Sequence, residues 1–140
     1  MITKRPLTAA SLERVGTLGQ ALERCSGVVF AYVFGGAAVG RTTPLSDVDV
    51  AVYVDDHVDP AVARLEVIGV VTSHLGTDEV DVVVLNRAPT ALAGRVLQTR
   101  RVVLDRDPPR RHLFESLALR SFADFRVYEH RLLARRYGHG

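Results

Sequence analysis

The chain has no tryptophan, one methionine and one cysteine among its 140 residues. The lone Cys25 cannot close an internal disulfide or seed a thiolate metal site, and its place near the end of an apolar periodic run reads as helix-end packing. No hydrophobic run approaches the roughly 20 residues needed to cross a bilayer, and residues 1–11 hold no apolar stretch long enough for a signal peptide. A cytoplasmic protein without membrane partners is expected. A strong charge of one sign is also missing. The formal net charge is +2, with a pI of about 9.0, too weak a field to gather nucleic acid, so direct nucleic-acid binding is not expected. The histidines His57, His74, His112, His130 and His139 show no metal-ligand spacing.

What is present is enough apolar material for one core, 47% of residues, and the length of one domain, residues 1–140. Leu12, Val15, Leu18 and Leu22 recur at helical steps and predict an amphipathic helix over 8–25, with Thr8 or Ser11 as N-cap. The β-branched and aromatic run 28–34 predicts a strand buried on both faces, closed by Gly35 and Gly36. Residues 46–54 alternate, with Asp47, Asp49, Ala51 and Tyr53 on one face and Val48, Val50, Val52 and Val54 on the other. A helix over 59–75 is capped by Asp59 and ended by Gly76, a strand follows over 80–85, then a short helix over 89–97 and a strand over 102–104. Asp107 and Pro108 open a long final helix with an apolar stripe of Leu113, Leu117, Phe122 or Phe125, Tyr128 and Leu132. The expected fold class is α/β (α+β), a small mixed sheet of about four strands with helices packed on it. Most arginines lie in the last third, where a helix can present them to a partner or simply to solvent.

The chemistry concentrates at Asp47 and Asp49. Two residues apart on a strand, their carboxylates leave the same face within a few ångströms. Alone, such a pair is as readily an ordinary strand end. A cation would relieve its repulsion, and an oxygen-only site suits Mg²⁺ or Mn²⁺ held with substrate phosphates. Gly36, eleven positions earlier, belongs to a glycine turn after a strand, where exposed backbone N–H groups can meet phosphate oxygens. A third acid, Asp81, heads the otherwise apolar strand Val82, Val83, Val84.

Phe34, Gly35 and Gly36, then ten residues, then Asp47, Val48 and Asp49, with the later Val80, Asp81, Val82 and Val83, resemble the nucleotidyltransferases of the DNA polymerase β type. Chain length, the 101–107 strand and turn, and the final helix with Phe122 and Phe125 are similar to the minimal nucleotidyltransferase (MNT) antitoxins. The resemblance implies a polymerase β-like fold with a long C-terminal helix. It implies Asp47, Asp49 and Asp81 as metal-binding and catalytic residues, Asp81 also as base, with Mg²⁺ or Mn²⁺ as metal. Gly35 and Gly36 would cradle the phosphates of ATP. Arg41 is the candidate to reach those phosphates, because Val39 stands where the family often has arginine. The implied activity is AMP transfer to a tyrosine of a HEPN-domain ribonuclease toxin, in a hetero-oligomer with it. Gly36 also replaces the family's usual serine, which removes one hydrogen bond, worth about 0.5–1.5 kcal/mol. Two alternatives remain: an antitoxin that neutralises by contact alone, and a small-molecule nucleotidyltransferase of the aminoglycoside-modifying kind.

Overall fold

The computed structural model describes residues 14–36, 38 and 48–137. In chain order the elements are α1 (Leu18–Leu22), β1 (Val28–Phe34), β2 (Val48–Val54), α2 (Pro60–Leu75), β3 (Val80–Val84), a 3₁₀ turn (Leu85–Arg87), α3 (Thr90–Thr99), β4 (Arg101–Asp105) and α4 (Pro108–Tyr137). The strands form one sheet in the order β3-β2-β1-β4. β1 pairs antiparallel with β2 and with β4, whereas β2 and β3 run parallel. Parallel neighbours need a crossover, which α2 provides. The mixed four-stranded sheet with helices packed on it and the presence of a long last helix are as the sequence predicts.

The alternation in β2 sorts the core into two layers. Val48, Val50, Val52 and Val54 pack with Leu18 and Leu22 of α1 and Val67, Val71 and Leu75 of α2. Ala51 and Tyr53 face the other way, toward Phe30 and Tyr32 of β1, Val96 and Leu97 of α3 and Phe114 of α4. β1, central in the sheet and covered on both faces, is buried along nearly its whole length. The α2 boundaries follow from its caps. Asp59 accepts the Ala61 N–H at 2.9 Å, and Gly76 closes the helix at φ +68°.

Two expectations need correction. The first helix is shorter than 8–25: its first six positions lie outside the described residues, and a turn at Gly16 and Thr17 separates helical Arg14 and Val15 from α1. Glycine weakens the helix there, and the Thr17 hydroxyl bonds the Arg14 carbonyl at 3.1 Å and His74 at 2.8 Å instead. The second concerns α4. Leu113, Leu117, Tyr128 and Leu132, proposed as its packing stripe, are exposed, Tyr128 by 65%. Phe114 and Ala118 pack on the sheet, and the Phe122 ring fills the space over Gly94 that a Cβ would occupy. Beyond Phe122 the described α4 residues are exposed, so the second half of this 30-residue helix projects from the domain.

Candidate active site

β1 ends at Phe34, which pairs with Asp49 of β2. Asp49 in turn pairs in register with Asp81 of the parallel strand β3. Register neighbours in a sheet stand about 4.8 Å apart with side chains on one face. Two strands separated in sequence by a helix thus set two carboxylates side by side on the sheet face that carries α3 and α4. Asp49 is half-buried and Asp81 exposed, so the pair opens outward. Asp47 and Arg41 lie outside the described residues, and among those described no three His, Cys, Asp or Glu side chains converge as a metal site.

Gly35 lies against this pair. Its φ of +72° is a left-handed conformation that glycine takes without penalty, and a Cβ added to it would sit 2.6 Å from Asp49 Oδ2. Glycine therefore serves here both to turn the chain and to leave room for a carboxylate. The Gly35 N–H donates to Thr99 Oγ1 at 2.8 Å, so this donor is engaged within the protein. Gly36 follows in the same turn. Asp49 and Asp81, adjacent oxygen donors in register across β2 and β3, fit a small hard cation.

Behind the site lies a charge network. Tyr32 Oη donates to Glu115 Oε2 at 2.8 Å. The same carboxylate meets Arg100 Nε at 3.0 Å and Arg111 Nη1 at 3.1 Å, and Arg111 Nε reaches Asp105 Oδ2 at 2.8 Å. Burial, followed by the hydrogen bond to Glu115, pushes the Tyr32 hydroxyl well above its ordinary range. The network joins β1, β4, the end of α3 and α4 at one point. Arg106, though exposed, donates to the carbonyls of Glu23, Cys25 and Val28 at 2.7–2.8 Å. Arg110 lies over the Tyr53 ring, 5.2 Å from its centroid, and pairs with Asp56 at 2.9 Å. Of the arginines of the last third, Arg100, Arg106, Arg110 and Arg111 make these contacts within the fold, while Arg101 on β4 and Arg120, Arg126, Arg131, Arg135 and Arg136 on α4 stand exposed.

A cleft of about 370 Å³, walled by Tyr53, Leu85, Ala93, Leu113, Phe114 and Leu117, is separate from the carboxylates. Tyr53 is four residues along β2 from Asp49, roughly 13 Å at strand rise. Sequence reasoning placed Tyr53 on the correct face and gave no sign of this cleft. Nor did it find Thr99, which is 64 positions from Gly35.

A parallel β2–α2–β3 unit beside an antiparallel β1, with a glycine turn and acids at one sheet end, defines a nucleotidyltransferase domain. The model of the polymerase beta nucleotidyltransferase family matches residues 17–109, and the chain belongs to that family. Among curated proteins none matches it. Solved structures do. One is a toxin–antitoxin with AMP-PNP, at 27% identity over 89% of this chain and 91% of that one, TM-score 0.60. Another is an MntA–HpeT toxin–antitoxin mutant in which two aspartates two positions apart are glutamate, at 26% identity over 86% of this chain and 89% of that one, TM-score 0.60. A third, a tri-AMPylated HEPN toxin of Shewanella oneidensis in complex with MNT antitoxin, shares the fold at 24% identity over 90% and 92% of the chains, TM-score 0.58.

Proposed function

We propose that this protein is an MNT-type antitoxin that transfers AMP from ATP to a tyrosine hydroxyl of a cognate HEPN toxin, with Mg²⁺ or Mn²⁺ at the acidic site. The observation that carries the reading is the in-register pair Asp49 and Asp81, with Gly35 leaving room for the Asp49 carboxylate, in a chain of the nucleotidyltransferase family. Similarity along most of the chain to a toxin–antitoxin with AMP-PNP supports both the nucleotide and the partner. Asp47, Asp49 and Asp81 would hold the metal, which when bound neutralises charge on the triphosphate and the reacting oxygens. The tyrosine oxygen forms a bond to the α-phosphorus while the bond to the bridging oxygen of the β-phosphate breaks. Pyrophosphate leaves, and the tyrosine proton passes to Asp81. The backbone of Gly36 and the side chain of Arg41 are assigned to the phosphates. The exposed half of α4, with Tyr128, Leu132 and Leu133 among arginines, is the surface offered to the toxin. An activity that uses ATP and an RNA-cleaving partner belongs in the cytoplasm, and no described helix is long and apolar enough to cross a membrane.

One finding favours a second reading, neutralisation by contact alone. Gly36 lacks the family's serine hydroxyl, and the Gly35 N–H is committed to Thr99. Asp49→Asn separates the two. If transfer carries neutralisation, this variant binds the toxin and fails to protect cells that express it. Full protection by Asp49→Asn establishes the contact reading.

A further inference from the structure

α3 ends at Thr99, Arg100 leaves the helix with extended backbone angles, and β4 begins at Arg101. In the β1–β4 ladder Tyr32 faces Val102 and Val33 faces Arg101. Continued by two residues, the same register sets Gly35 opposite Thr99. Thr99 is already helical there, so its backbone does not extend the ladder. Its hydroxyl takes that place and accepts the Gly35 N–H at 2.8 Å. A threonine hydroxyl at a helix end commonly bonds back to its own preceding turn. Here it reaches across to another strand.

The bond falls at the residue whose conformation matters most to the acidic site. Gly35 holds φ +72°, and its Cα is the surface against which the Asp49 carboxylate lies. Rotation of the peptide that joins Phe34 to Gly35 is limited on one side by the pairing of Phe34 with Asp49 and on the other by the bond to Thr99. The end of α3 is itself fixed, since Arg100 pairs with Glu115 at 3.0 Å and also donates to the Leu97 carbonyl at 2.7 Å. We propose that Thr99 is a positioning residue of the acidic site: by holding the Gly35 amide it fixes the glycine turn that leaves the Asp49 carboxylate its place and orientation toward the metal. Thr99 acts through Gly35, whose amide N–H its hydroxyl accepts. The inference rests on the metal-dependent reading above.

Thr99→Val keeps the shape and removes the acceptor, whereas Thr99→Ser keeps the acceptor. Two readouts apply to each full-length variant. The first is Mn²⁺ binding in the presence of AMP-PNP, followed by electron paramagnetic resonance of free Mn²⁺. The second is hydrogen exchange of the Gly35 amide, followed by NMR. Thr99→Val is expected to bind Mn²⁺ about tenfold more weakly and to exchange the Gly35 amide about tenfold faster, the scale of one hydrogen bond. Thr99→Ser is expected to stay within about twofold of wild type. Wild-type Mn²⁺ binding by Thr99→Val overturns this inference and leaves the metal reading standing. Equal losses in both variants also overturn it, because they assign the effect to packing rather than to the hydroxyl. A wild-type protein that binds no Mn²⁺ with AMP-PNP overturns the metal reading and this inference together.

Discussion

At Gly35 two demands meet in one residue, a positive φ and a missing Cβ, and only glycine meets both. Gly35→Ala should therefore do more than strain the backbone by about 1–2 kcal/mol. The new methyl would displace the Asp49 carboxylate, and Mn²⁺ affinity should fall by more than the loss of stability explains. Thermal melting and Mn²⁺ titration of the same sample separate the two effects. Cys25 offers a test of the opposite kind, far from the site. Burial, and then the nearby Glu66 carboxylate, push its thiol up from 9.0 to about 11. The folded protein keeps this proton to a higher pH than the unfolded chain, so the stability it contributes is complete below pH 9.0 and falls away as pH rises to about 11. The loss is at most about 2–3 kcal/mol. Urea midpoints at about pH 8 and about pH 10.5, on either side of the unfolded thiol's titration, should draw apart in wild type and less so in Cys25→Ala. Tyr32, also raised by burial and then by Glu115, titrates beyond its ordinary 10.0 and adds to the alkaline loss in both proteins.

Among elements, α4 divides into a half that builds the domain and a half that leaves it. Glu115, buried and shared by Tyr32, Arg100 and Arg111, anchors the first half. Glu115→Ala leaves Arg100 and the Tyr32 hydroxyl without a carboxylate and Arg111 with Asp105 alone, and should destabilise by about 3–5 kcal/mol in urea unfolding. On the projecting half, Tyr128 and Leu132 are 65% and 46% exposed. Replacing both with Glu should shift stability by less than about 0.5 kcal/mol and weaken toxin binding at least about tenfold in a titration calorimetry experiment. The sequence made this division hard to see. Residues 113, 114, 117, 118 and 119 are all apolar, so helical period alone fits more than one face. The face that packs carries Phe114, Ala118 and Phe122, whose ring lies in the space over Gly94 of α3. Strands were easier, because a period of two in β2 leaves one assignment, and its two faces lie in the two core layers as alternation requires.

For the molecule as a whole, the strand order and the single parallel pairing determine which acids can meet. Asp49 was legible as a candidate from its spacing to Asp47 on one strand face and Asp81 from its place at the edge of an apolar strand, and the β2–β3 register brings them together. The Thr99 hydroxyl and the Glu115 network were not legible. Hydrogen bonds between residues 64 and 83 positions apart leave no periodic trace in a sequence. Those unpredicted contacts connect the sheet end that bears the acids to α4, and α4 bears the surface assigned to the partner. The most direct test of transfer to a toxin is intact-mass spectrometry of the protein and the proposed HEPN partner after incubation with ATP and Mg²⁺. A gain of one or more AMP units on the toxin, absent with Asp49→Asn or without the metal, is the predicted result. An unchanged toxin mass in a stable complex, or a gain that persists with Asp49→Asn, would contradict it.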